Sequence, residues 1–258
     1  MFTADALRAL LLSTLAGLAT LLGALVVVFT RNKSEKLITV SLGFAAGVML
    51  SVSFTDLYPN ALASFAAGLS GKMSILAAVG FLIVGLLVAA SLDRLVPHDA
   101  YDEQTGDKPH KDLYRVGFVS MLAMALHNFP EGIATFMAGY ENVTLGVSIA
   151  LAIALHNIPE GISVALPIYY VTGSRRKAFK MTFLSGISEP VGALLAFLVL
   201  RPFITPFALG AVFAAVAGIM IYIAVEELIP SSRQYAHDRL ALLSTFTGIC
   251  LMPLTHLL

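Results

Sequence analysis

The residues best equipped for chemistry occur in two near-identical phrases, HNFPEG at 127–132 and HNIPEG at 156–161. Each places a histidine, an asparagine and a glutamate inside a long apolar run, with a proline among them. Histidine and glutamate stand at i and i+4, and asparagine and glutamate at i and i+3, so each set shares one helix face. His127, Asn128 and Glu131 thus point to one locus, as do His156, Asn157 and Glu160. Glu189 is a third carboxylate deep in an apolar run. Imidazole favours zinc, copper, iron and nickel, whereas carboxylate and amide oxygens favour harder ions. The mixture suits a borderline divalent ion such as Zn2+, Fe2+, Mn2+ or Co2+. No cysteine stands near, which argues against Cu(I), and a closed structural zinc site would be richer in cysteine. Multi-site, oxygen-rich binding suits an ion that must leave again.

These ligands need elements to hold them. Hydrophobic residues make up 58% of the 258 and charged residues 12%, against roughly 45–50% and about 25% in ordinary soluble domains. The composition predicts an all-α polytopic membrane protein. Eight segments are apolar over about the 20 residues a spanning helix needs: 6–29, 37–58, 73–92, 115–139, 143–171, 178–200, 205–229 and 239–257. Together they form one transmembrane transporter domain, 1–258. The first is too long and uniformly apolar for a cleaved signal segment and is expected to stay as a membrane helix. The one long polar connection is 93–114, with His98, Asp99, Asp102, Glu103, Asp107, His110 and Asp112, and a solvated loop is expected there. The formal net charge is zero, so bulk charge suggests no nucleic-acid partner. The lone Cys250 permits no disulfide within the chain.

Lysine and arginine fix an orientation, because short cytoplasmic loops carry the positive excess. Arg31, Lys33, Lys36, Arg94, Lys108, Lys111, Arg115, Arg175, Arg176, Lys177, Lys180, Arg233 and Arg239 fall on one side, and Arg8, Lys72 and Arg201 on the other. Both termini are therefore expected outside the cytoplasm and 93–114 inside. No basic residue sits mid-span, whereas Glu131, Glu160 and Glu189 do. A buried carboxylate costs several kcal/mol unless compensated, so protons or incoming cations must supply the balance. At about 1.5 Å per residue, His127 lies about 18 Å from the outer end of its span, His156 about 20 Å deep, and Glu189 about 17 Å from the inner end. Three helices thus bring polar ligands to one level near mid-membrane.

Pro130 and Pro159 remove helix hydrogen bonds to the carbonyls of Leu126 and Leu155, beside the histidines. Met49, near mid-depth of the second span, offers a soft thioether. Asp56 at the outer end of that span and Glu226 and Glu227 at the inner end of the seventh mark an entry and an exit for the ion. Gly43 and Gly47 suit close helix packing within the chain or between copies, so a homodimer is an expected arrangement. Two other classes compete. An intramembrane metalloprotease would need a metal and a general base, commonly HExxH, a pattern absent from the sequence. A proton-coupled transporter of an organic solute would need aromatic or basic anchors near the cluster.

HNFPEGIATF (127–136) followed by HNIPEGISVALP (156–167) resembles the ZIP family of divalent metal transporters. SLGFAAGVMLSVSF (41–54), LDRLVPH (92–98), SGISEPVGALLA (185–196) and AVAGIMIYIAVEELIP (215–230) are similar to its bacterial ZupT-type branch, so the likeness covers nearly the whole chain. It implies eight membrane helices, import of zinc and of related ions such as iron, manganese, cobalt and cadmium across the cell inner membrane, no enzymatic activity, and no cofactor beyond the transported ion. It further implies a binuclear site. One ion would be held by His127, Glu131 and Glu160 with Met49 adding to it, and the other by Asn128, Asn157 and Glu189, with Glu131 and Glu160 bridging. His156 matches a variable position. Some members carry aspartate where this chain has Asn157.

Overall fold

A computed structural model describes residues 3–29, 34–95, 113–200 and 205–257. Among these residues the chain is all helical, in eight rods: α1 Ala4–Phe29, α2 Glu35–Ala66, α3 Gly71–Leu95, α4 Leu113–Glu141, α5 Val143–Thr172, α6 Arg175–Val199, α7 Pro206–Ser232 and α8 Asp238–Leu251, the last continuing as a 3-10 turn, Met252–Leu257. Six of them, α1, α2, α3, α5, α6 and α7, are long and apolar enough to cross a membrane by length and composition. Helix α4 has the length, at 29 residues, but carries the polar ligands. Helix α8 has 14 residues before its 3-10 extension.

Local chemistry sets the ends. Side-chain oxygens of Thr3, Ser34, Ser174 and Thr205 accept the N–H of Ala6, Leu37, Lys177 and Ala208, satisfying first-turn donors. Gly173 ends α5 at φ +63°, and its N–H reaches the Tyr169 carbonyl at 2.8 Å, the left-handed stop that glycine adopts without a Cβ clash. Asn142 alone separates α4 from α5, which makes them antiparallel neighbours.

Several boundaries differ from those expected. Helix α2 runs on to Ala66, so Asp56 lies inside it, in a π-helical turn at Ser53–Leu57, rather than at its end. Pro59 sits in the first turn of the segment Tyr58–Ala66, where its missing N–H does no harm. Helix α3 continues to Leu95 and α4 starts at Leu113, so Asp93 and Arg94 are helical rather than part of the polar connection. The histidines and acids expected to be solvated at 98–112 lie outside the described residues, as do Arg31, Lys33, Lys108, Lys111 and Arg201.

The rods divide into two groups. Helices α1, α4, α5 and α6 pack on one another; in the other group α2 lies between α8 and α7, and α3 packs on α7. The groups meet where α2 lies along α5 and α7 along α4. Glycine draws the helices of each group into backbone contact. A Cβ on Gly23 would lie 2.1 Å from the Ile158 carbonyl, one on Gly161 1.9 Å from that of Thr20, and one on Gly85 1.8 Å from that of Ala215. Gly43 and Gly47 face Ser244 and Thr245 of α8 in the same way, so their use is within the chain. Every such glycine approach among the described residues stays inside one group. The seam between them is built of side chains, Leu42, Met49, Met124, Leu166, Ile168, Met220 and Ile223 among the largest in the shared apolar core.

Candidate metal centre

Helices α4 and α5 run unbroken through Pro130 and Pro159. Helix α6 instead breaks at Ile187, one residue before Ser188-Glu189-Pro190. Pro190 cannot donate to the Gly186 carbonyl, and the break turns Glu189 into the first turn of a new segment. Gly132 of α4 meets the Glu189 backbone, and Gly192 of α6 meets that of Phe129, with Cβ-to-carbonyl distances of 1.9 and 2.1 Å. These two notches bring Glu189 level with the α4 ligands.

His156 Nε2 lies 2.8 Å from Glu131 Oε1, and His127 Nε2 lies 3.1 Å from the same oxygen. His127 Nε2 is 3.7 Å from Glu160 Oε1. One donor atom from each of His127, Glu131 and His156 falls within 4.8 Å of the others, a spacing that could hold a metal ion. Alongside, Asn157 Nδ2 donates to Glu189 Oε2 and to the Ala16 carbonyl, both at 3.0 Å. Asn128 Nδ2 donates to the Ser185 carbonyl at 3.2 Å. Both amide N–H groups are thereby turned toward protein acceptors, and both amide oxygens are left over.

His127, Asn128, Asn157, Glu160 and Glu189 have no exposed surface, and Glu131 and His156 keep 5% each. Within this buried cluster, Asn128 Oδ1, Asn157 Oδ1, Glu131 Oε2, both Glu160 oxygens and Glu189 Oε1 have no hydrogen-bond partner in the protein. Buried polar atoms are nearly always paired, so six orphaned acceptors in one place demand an electrophile. A divalent cation answers that demand with the oxygen and imidazole donors present.

His127, Glu131, His156 and Glu160 form one end of the cluster, and Asn128, Asn157 and Glu189 the other. His156 stands among the candidate ligands, closer to Glu131 than His127 is. Met49 is buried in the apolar core, with its own carbonyl accepting the Ser53 hydroxyl at 2.7 Å. A cavity of ≈ 250 Å³ runs from Glu131 and His156 to Asp56, Asn60 and Thr255, walled by Val52, Ile149, Ile153 and Phe213. Asp56 thus borders the route to the cluster.

Glu226 and Glu227 part company. Both lie in a π-helical turn, Ile223–Leu228, the kind of bulge frequent at functional sites. Glu226 is exposed, while Glu227 is buried and paired with Arg115 Nη1 at 3.2 Å. Arg115 also pairs with Asp93, and Tyr222 donates its hydroxyl to Asp93 at 3.3 Å. Asp93 and Arg115 escaped sequence reasoning because Asp93 was counted in the polar connection and Arg115 only as an orientation charge at a span end. Their positions in the last turn of one span and the first turn of the next, with opposite signs, were the available signal. The Ala16 and Ser185 carbonyls, being backbone, carry none.

The family model described as ZIP Zinc transporter matches residues 96–255. The zinc transporter ZupT of Chlorobium chlorochromatii is 42% identical over 267 aligned residues, covering 99% of each chain. That of Chlorobaculum parvum is 45% identical with 96% of each chain covered, and that of Streptococcus mutans 40% with 97%.

Proposed function

The chain belongs to the ZIP family of zinc transporters, and we propose that it carries zinc into the cytoplasm by alternating access to the cluster between α4, α5 and α6. It is a transporter of divalent metal ions and not an enzyme. The observation that carries the residue assignment is the set of orphaned oxygens on Asn128, Glu131, Asn157, Glu160 and Glu189 beside two imidazoles.

One ion is held by His127, His156, Glu131 and Glu160, and the other by Asn128, Asn157 and Glu189, with Glu131 and Glu160 facing both. Met49 approaches the first ion only if its thioether swings from the core. The borderline donor set extends the cargo to iron, manganese, cobalt and cadmium.

All eight rods span the inner membrane, with both termini outside, an orientation supported by the basic residues of the loops. Leu76, Leu87 and Leu243, each more than half exposed, support contact with lipid. Under this orientation Asp56 borders an outward-facing cavity, and the apolar seam around Met49 and Met124 closes the inner side. A seam of side chains between two glycine-locked groups is the natural place for relative movement. A homodimer would need a surface other than Gly43 and Gly47, which α8 covers.

Zinc uptake into proteoliposomes tests the proposal. The wild-type chain accumulates zinc, Glu131→Ala and Glu160→Ala do not, and both variants elute as folded protein. Normal uptake by either variant would remove the cluster from the pathway. Competition by a panel of metals ranks the cargo.

A further inference from the structure

The seam between the two helix groups is fastened at one end by buried charge. Arg115, in the first turn of α4, extends its guanidinium across the seam. One Nη group meets Asp93 at the end of α3, and the other meets Glu227 of α7 at 3.2 Å. The side chains are 12% exposed for Arg115, 11% for Asp93 and 4% for Glu227. Tyr222 adds its hydroxyl to Asp93. The two acids and the tyrosine belong to one group and the arginine to the other.

A second crossing lies at the same end. The Tyr170 hydroxyl of α5 donates to the Ser34 carbonyl at 2.8 Å and accepts the Ser34 N–H at 2.7 Å, just ahead of α2. The cavity from Glu131 and His156 toward Asp56 occupies the opposite end of the same seam.

We propose that Arg115 is a lock: its forked pairing with Asp93 and Glu227 holds the inner end of the seam shut and keeps the resting transporter facing outward. This rests on the transport reading and orientation given above. A planar guanidinium with two separate N–H edges is suited to grip two carboxylates in fixed directions, which an ammonium does less well. The pairing is buried, so salt screens it little. It spans the interface between the groups, which is free of glycine notches among the described residues and therefore able to slide. Parting the groups at this end requires Arg115 to leave both acids at once, a cost met only when the inner end opens. The lock thus biases a two-state equilibrium without touching the ion.

The test uses the full chain with Cys250→Ser and one reporter cysteine at a time. Val119→Cys sits in the closed seam between α3, α4 and α7, and Ala152→Cys lines the outer cavity. Inner-face labelling of the first and outer-face labelling of the second by a membrane-impermeant maleimide report the two states. Removing Arg115 alone would strand two buried acids, so the main variant is neutral throughout: Asp93→Asn, Arg115→Met and Glu227→Gln together. It is expected to label about tenfold faster at position 119 and correspondingly more slowly at 152. Arg115→Lys falls between. Unchanged rates at both positions overturn the lock. So does a rise at both, which marks general loosening. Opposed changes in the triple variant, with no zinc uptake by the wild-type chain, would leave the lock standing and sink the transport reading instead.

Discussion

Gly132 sets the position of Glu189: a Cβ at 132 would lie 1.9 Å from the Glu189 carbonyl oxygen and 3.0 Å from its Cα. Helices α4 and α6 therefore touch through bare backbone at the level of the candidate metal centre. Any side chain at 132 must push α6 away and take Glu189 out of reach of Asn157.

Gly132→Ala is accordingly expected to lose uptake out of proportion to its size. Overpacking of this kind costs about 1–3 kcal/mol. The folded fraction should bind one zinc rather than two, because the Asn128, Asn157 and Glu189 end is the one disturbed. Equilibrium zinc titration of the purified variant measures the stoichiometry. Gly80→Ala is the control, since a Cβ there meets nothing within 4 Å. Retention of two zinc ions by Gly132→Ala would break the link between helix approach and ligand placement.

Asn157→Asp probes the same end through charge. The amide now donates to the Ala16 carbonyl and to Glu189 Oε2, both at 3.0 Å. An aspartate replaces two donated hydrogen bonds with two contacts between acceptors. Without metal the variant should lose about 1–3 kcal/mol of stability. With zinc the added anionic ligand holds the ion more tightly, so zinc raises Tm further than in the wild type and leaves the protein more slowly. Metal ligands must be deprotonated, so uptake by the variant should fall more steeply as pH drops. Thermal unfolding with and without zinc across pH 5–8 decides it; equal zinc-induced shifts in the two proteins contradict the argument.

The repeated phrases made the centre legible from sequence, because i, i+4 spacing on helices fixes which residues share a face. That Glu189 comes level with the two phrases was legible too, from rise per residue alone. What orients the amides was not, since Ala16 and Ser185 act through backbone carbonyls. Helix α2 runs past the expected end at 58 to Ala66, a length that apolar composition alone did not mark. Arg115 was hidden by being basic near a helix end, where positive charge is expected for reasons of orientation. The seam was illegible because glycine notches become partners only once the helices are packed.

Gly47→Val tests whether the small-residue pair on α2 serves this chain or a second copy. A Cβ at 47 would lie 2.0 Å from the Thr245 carbonyl of α8. The branched side chain should force α8 off α2, lowering stability by about 1–3 kcal/mol and Tm by several degrees. The oligomeric state, read by multi-angle scattering in detergent, should not change. A shift in mass with Tm preserved would mean that the glycines face another subunit.

His156 separates the two histidines by function. Its Nε2 is the nearer to Glu131 Oε1, at 2.8 Å, and its side chain lines the cavity that leads toward Asp56, while His127 is fully enclosed. An ion arriving along that cavity meets His156 before it meets Glu160. His156→Ala should therefore weaken capture, raising the KM for zinc about 10–100-fold while kcat changes less, a loss of the size seen when groups supporting a metal ligand are removed. His127→Ala removes an enclosed ligand and should lower kcat as well. Initial rates over a range of buffered free zinc, at one fixed pH, separate the two parameters. If His156→Ala keeps the wild-type KM, the histidine holds Glu131 in place without taking the ion, and the first site rests on His127 and the two glutamates.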